Sequence, residues 1–442
     1  MGSAPTGTPS PGTAPESAPA RAEQAGRGWV LTAVAGVILA AAVWFLYKDY
    51  EPFLNDFEVY FYGGNRVLES GDSLYAPRDG LPFTYPPFAA LLFAGLATAG
   101  FGAGSMVFIL SALLGAAVVA GWLSRHYFGM KTWRAAFANY RFRTTAALGT
   151  GAILLLGPWR DTFVFGQINI ILMGVILADF ALYGKARAGE VRWPAGLLIG
   201  LAAGVKLTPL VFGLYFLVRR DFKALAWMAA GFFGSIAAAW AILPQASLAF
   251  WTKILPDTGR IGQPEFVDNL SVKGMLLHFG LPDSTLTSLA WAGLSLALVV
   301  LAALVVKWAV DVDENFIAVS ATAVLMLLIS PVSWSHHWVW VAVALPGMAF
   351  AMHRVPSQQG RMRLAGWVIV ACSTLAFYLT PKNLAVLAGA REWGKGVETQ
   401  FQLAVSSLGV LCGIALLVYW ALAYRPARAG IGARPADVGR PS

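Results

Sequence analysis

Apolar runs of bilayer-spanning length recur along nearly the whole chain, separated by short polar segments. They lack the strict alternation of a membrane-barrel strand. In hydrocarbon every backbone N–H and C=O needs an internal partner, so such runs predict helices. A crossing takes roughly 20 residues. Crossings are expected at 29–47, 106–123, 144–159, 170–183, 222–243, 284–308, 313–331, 338–353, 362–380 and 401–424. Two further runs fit less simply. The stretch 86–99 is short and reads as a segment dipping in from outside. The stretch 193–218 is interrupted at Val205-Lys206-Leu207-Thr208-Pro209. It reads as two short helices meeting near the outer side, each too short to cross alone, or as one tilted span. The expectation is an all-α polytopic membrane protein with about 12 transmembrane helices.

Charge orients this pattern. The loop 124–143 holds Arg125, Lys131, Arg134, Arg141 and Arg143 without one acid. Basic clusters also follow 183, 218, 353 and 424, and a Lys/Arg excess marks the cytoplasmic side. Both termini then lie inside. Residues 1–27, rich in Ala, Pro, Gly, Ser and Thr, read as a disordered cytoplasmic tail, and 425–442 read as a cytoplasmic tail. The run at 29–47 is too long for a signal-peptide core and no A-x-A site follows it, so it reads as a retained span. The stretch 49–87 falls outside. It carries seven acids against only Arg66 and Arg78, with dense aromatics. Phe57, Val59, Tyr60 and Tyr62 could let a short helix there lie on the membrane surface.

Composition narrows the function classes. Of 442 residues 57% are hydrophobic and 12% charged, whereas soluble domains carry about 25% charge. The net charge of +9 sits in loops flanking apolar spans rather than in a basic stripe, which argues against nucleic acid. Cys372 and Cys412 lie in separate apolar segments with no metal or redox spacing and read as small core residues. No internal repeat is visible, which disfavours an inverted-repeat transporter or flippase for a lipid-linked sugar.

Polar residues beside membrane spans are expensive and ask for an explanation. Asp56, Glu58, Arg160, Asp161, Gln167, Asn169, Lys206, Asn269, Ser271, His336 and His337 all map to the outer side. Asp56 reads equally as a helix N-cap and as a desolvated general base. Glu58, two residues on, points to another helix face. His336 and His337, among Trp334, Trp338 and Trp340, fit an interfacial aromatic belt or a hydrogen-bonding pair for phosphate. Lys206 fits a snorkelling lysine or a phosphate contact. Gln167 and Asn169 fit caps or sugar-hydroxyl contacts. Asp179, near the inner end of its run, reads as interfacial.

Six motifs in order resemble glycosyltransferase family 87: D-F-E-V-Y at 56–60 with Y-P-P-F at 85–88, G-Q-I-N at 166–169, K-L-T-P at 206–209, D-N-L-S-V-K-G at 268–274 and S-P-V-S-W-S-H-H-W at 330–338. Within that family the chain resembles actinobacterial polyprenyl-phosphate-mannose-dependent α-1,2-mannosyltransferases, including those acting on phosphatidylinositol mannosides. Leu270 stands where the resemblance leads one to expect an amide. The resemblance implies a GT-C fold over 28–424 with a catalytic first extracytoplasmic loop. It implies a plasma-membrane enzyme using a polyprenyl phosphate mannose donor and a mannosylated lipid or glycan acceptor. The acid of that loop carries over to Asp56 as general base, with inversion to an α-1,2 linkage. Glu58, Tyr60, Tyr85, Gln167, Asn169, Lys206, Asn269, Ser271, His336 and His337 carry over as substrate contacts. No metal or other cofactor is implied. Transfer of another polyprenyl-linked sugar, such as arabinofuranose, is the alternative within the family. A single cysteine placed in 124–143 should resist impermeant reagents added from outside; rapid labelling there would overturn the crossing order.

Overall fold

The structure is a computed structural model, and it describes residues 18–426 apart from 51, 70–73, 258, 260–261, 356–358 and 390–398. The expected N-terminal tail lies largely, and the C-terminal tail almost wholly, outside these residues. Among the described residues secondary structure is helical, with no strand and one isolated bridge between Asn269 and Trp334.

Six helices are long and apolar enough to cross a membrane: Arg27–Asp49, Phe101–Tyr127, Asn169–Arg187, Phe222–Ile242, Thr285–Asp311 and Gly360–Leu379. Their outward faces carry large apolar side chains such as Trp44, Leu114, Phe233 and Leu296, as a lipid-facing surface requires. Shorter helices pack between them, among them Asn315–Ile329, whose residues from Ile317 to Leu328 are all buried. The protein core is thus built around this fully enclosed helix.

Several expected spans are broken where their sequences interrupt the backbone ladder. The run 193–218 forms Leu197–Val205, an extended Lys206 and a 3-10 turn Thr208–Phe212 that continues into Gly213–Val218. Pro209 lacks an N–H and its ring excludes a continuous α-helix, so Lys206 is left at the break. The run 144–159 ends at Leu154, and Pro158 starts a new helix, Gly157–Phe165. The run 401–424 is divided into Gln400–Ser406 and Leu408–Tyr424.

The acidic stretch departs from expectation. Its helix, Asn55–Glu69, does not float on a membrane surface but packs into the protein, with Phe57, Val59 and Tyr60 buried. Tyr60 stacks on Phe93 at 4.6 Å between ring centroids, and Phe57 meets Phe108 at 5.2 Å. Gly64 permits this closeness, because a Cβ there would sit 2.3 Å from the Phe93 carbonyl oxygen. Trp338 and Trp340 are buried in the protein and form no interfacial belt. Cys372 is exposed on its helix rather than in the core. Asp179, expected at an interface, is buried and accepts hydrogen bonds from Trp193 Nε1 at 2.7 Å and the backbone N–H groups of Gly196 and Ile199 at 3.1 and 3.0 Å. It thereby satisfies donors at the start of Leu197–Val205 that the helix itself cannot.

Gly64→Ala should therefore separate Asn55–Glu69 from Pro87–Thr98 and destabilise the protein by about 1–3 kcal/mol. Thermal unfolding in detergent measures this, and an unchanged midpoint would contradict the close packing.

Candidate active site

A cavity of about 730 Å³ opens where the segment following the first membrane-length helix meets the helix break at Lys206 and the segment 330–337. Volumes of roughly 300–1,000 Å³ are usual for small-molecule sites. Asp56, Tyr60, Tyr85, Gln167, Lys206, His336 and His337 line it, so seven of the eleven residues singled out from the sequence converge on one space.

Asp56 lies in the first turn of Asn55–Glu69, after the start of the helix rather than at an N-cap. There the helix dipole favours a negative charge. Burial is nevertheless the largest influence and raises its pKa from 3.8 to about 6, against the Gln167 side chain and the Lys206 charge, which lower it. Gln167 reaches this spot because the helix Gly157–Phe165 ends at Gly166 in the left-handed region, φ +65°. A side chain at that position would be strained, and its Cβ would press within 2.7 Å of Phe57 Cβ.

A continuous hydrogen-bonded chain crosses the cavity wall. Tyr85 and Tyr60 hydroxyls meet at 2.9 Å, and Tyr60 donates to Gln167 Oε1 at 2.9 Å. Asn169 Nδ2 donates to the same Oε1 at 3.3 Å and to the His336 carbonyl at 3.0 Å. Lys206 Nζ donates to Asn169 Oδ1 at 3.0 Å and lies 3.0 Å from His337 Nε2. Tyr60 and Tyr85 are held protonated, chiefly by burial and then by neighbouring negative charge. Both histidines have pKa values pushed well down, first by burial and then by the nearby Lys206. They are therefore neutral hydrogen-bonding rings at pH 7, and positive charge at the cavity comes from lysine.

Four expected contacts are placed elsewhere. Glu58 faces outward and pairs with Arg78, since two residues of helix turn it away from Asp56. Asn169 stands behind the cavity wall, its amide occupied by Gln167, His336 and Lys206. Asn269 is fully buried, donating to the Pro264 carbonyl at 2.7 Å and accepting from Ser333 N–H at 2.9 Å. Ser271 caps the helix Val272–His278 through Gly274 N–H at 3.0 Å and donates to the Pro331 carbonyl at 3.2 Å. The last two residues staple 268–271 to 330–335.

That staple brings in residues the sequence did not single out as contacts. Asp268 and Lys382 line the cavity. Asp268 Oδ2 accepts from Ser335 Oγ at 2.9 Å, and the same hydroxyl contacts Asp161, which lies 4.0 Å from Lys382 Nζ. Asp268 stood in the D-N-L-S motif, so a signal existed; Lys382 carried none. Arg160 lies between the Tyr50 and Tyr378 rings and donates to the Tyr378 carbonyl at 2.6 Å, a clamp between helices.

The model of glycosyltransferase family 87 matches residues 83–331. The polyprenol-phosphate-mannose-dependent α-(1-2)-phosphatidylinositol pentamannoside mannosyltransferase of Mycolicibacterium smegmatis is 32% identical over 374 residues, covering 82% of this chain and 84% of that protein. The polyprenol-phosphate-mannose-dependent α-(1-2)-phosphatidylinositol mannoside mannosyltransferase of the same organism is 34% identical, over 69% of this chain and 71% of its own. Its namesake from Mycobacterium tuberculosis is 34% identical, over 72% and 74%. No solved structure matches the chain.

The raised pKa of Asp56 has a signed consequence for stability. Above pH 6 the fold holds a buried carboxylate anion that the unfolded chain would ionise more readily, so Asp56→Asn should raise the unfolding midpoint at pH 7. The gain should shrink as pH falls from about 6 and vanish below 3.8, where both states are protonated. Midpoints that do not differ across this range would contradict the burial.

Proposed function

The chain belongs to glycosyltransferase family 87, and from that premise we propose that it transfers mannose from polyprenyl phosphate mannose to a hydroxyl of a mannosylated phosphatidylinositol acceptor, forming an α-1,2 linkage. The observation that carries the mechanism is the pairing, in one cavity, of the Asp56 carboxyl, raised to about 6, with the lysine at a helix break whose charge acts on it.

Asp56 is assigned as general base. It takes the proton from the acceptor hydroxyl as that oxygen attacks the anomeric carbon, from the face opposite the lipid phosphate. One displacement inverts the centre, so a β-linked donor gives an α-linked product. A phosphate is a good leaving group without protonation, so one carboxylate suffices where inverting glycoside hydrolysis uses a second as acid. The phosphate goes from one negative charge in the donor to two in the product. Lys206 therefore interacts more strongly with the transition state than with the ground state, which is the condition for raising the rate. His337, neutral and in contact with Lys206, adds a hydrogen bond without competing charge. Asn169 and Gln167 hold Lys206 and the Tyr60–Tyr85 pair in register. We assign this site to the outer face of the plasma membrane, in keeping with the charge pattern of the loops.

Membranes supplied with radiolabelled polyprenyl phosphate mannose test the assignment. Asp56→Asn should lower transfer by about 10²–10⁴-fold, the usual worth of general acid–base catalysis. Wild-type transfer should fall on the acid side of about pH 6, as the base becomes protonated. A correctly folded Asp56→Asn protein with near-normal rate would remove Asp56 from the role of base.

A further inference from the structure

The reaction as proposed employs Asp56, Lys206 and His337, yet the same cavity is lined by a second set of polar groups that it leaves unused. Asp268 is 5% exposed and His336 6%. Oδ1 of Asp268 has no hydrogen-bond partner, and neither does either ring nitrogen of His336. An unsatisfied buried polar atom costs about 1–3 kcal/mol, so three such atoms beside one cavity mark a place suited to a ligand. Trp334, held edge-to-face by Phe266 at 5.8 Å, offers an indole at the same wall.

The chemistry selects the ligand. A carboxylate oxygen accepts from hydroxyls, a neutral imidazole gives one donor and one acceptor, and an indole face suits the C–H face of a sugar ring. A phosphate would meet the carboxylates of Asp268 and Asp161, so it belongs at the Lys206 end instead. Lys382, 4.0 Å from Asp161, offsets that local negative charge.

We propose that Asp268, His336 and Trp334 form a second carbohydrate subsite, one that holds a neutral hexose residue of the acceptor and so presents its hydroxyl to Asp56. This rests on the mannosyltransferase reading above. The two carboxylates then divide the work: Asp56 moves the proton and Asp268 selects and orients the sugar. Asp268 is reached through a motif whose neighbouring residues, Asn269 and Ser271, only fix the backbone that carries it.

Two measurements on the purified full chain test this. Octyl α-mannoside titrated onto the protein without donor should bind wild type, and at least tenfold more weakly to Asp268→Asn and Trp334→Ala, with Trp334→Phe restoring most of the affinity. In steady-state transfer, Asp268→Asn should raise KM for the mannoside acceptor at least tenfold while donor KM stays within twofold. Absence of mannoside binding by wild type, or equal binding by all variants, would overturn the subsite. So would donor and acceptor KM rising together in the variants. Should Asp268→Asn not fold, the Trp334→Ala and Trp334→Phe pair decides. Mannoside binding with no transfer from polyprenyl phosphate mannose in wild type would instead count against the functional reading and leave the subsite standing.

Discussion

The amide of Asn169 is the junction on which the site depends. It begins the membrane-length helix Asn169–Arg187, and all three of its hydrogen bonds reach other functional segments: Gln167, the His336 carbonyl and Lys206. A lysine at a helix break and a 3-10 segment carrying two histidines have no regular ladder to hold them. One buried amide holds both at once. Removing it would strip one hydrogen bond from each of three segments, leaving Gln167 with Tyr60, Lys206 with His337 and the His336 carbonyl with Thr162, at about 0.5–1.5 kcal/mol for each bond lost.

Around this junction the protein separates its charges. Positive charge comes from Lys206 and Lys382, because burial keeps both histidines neutral. Negative charge lies on Asp56 in the helix Asn55–Glu69 and on the Asp161–Asp268 pair joined through Ser335. The cavity thus has chemically different ends, one at Lys206 and one at Asp268. The helix that carries Asp56 is fixed by ordinary packing, Tyr60 on Phe93 and Phe57 on Phe108, which holds its carboxyl in place.

Motif residues proved unequal. D-F-E-V-Y contributes Asp56 and Tyr60 to the cavity, while Glu58 turns out to Arg78, as helical spacing requires. D-N-L-S contributes Asp268, and its Asn and Ser are spent on the Pro331–Ser333 backbone. Leu270, where an amide was expected, is fully buried and gives its carbonyl to Trp338 Nε1 at 3.2 Å. A motif read as a string of ligands is here one cavity-lining residue and its mounting. Lys382 joins from a segment with no motif, brought in by the short helix Pro381–Leu387.

The amino-acid sequence alone determined the class of protein, its membrane helices, the break at Lys206, the acidic segment 49–87 and most of the polar residues at the cavity. These follow from local causes: hydrocarbon demands apolar helices, proline interrupts them, and unpaired polar groups beside them need a reason to exist. Whether Asn55–Glu69 lay on lipid or on protein, and whether the histidines faced headgroups or a cavity, depended on contacts between residues far apart in the chain. The same holds for the choice between cavity lining and staple at Asp268, Asn269 and Ser271. Those three residues, within four positions of one another, share one sequence environment and differ in what the fold, chiefly 330–335, places against each, which tertiary structure alone decides.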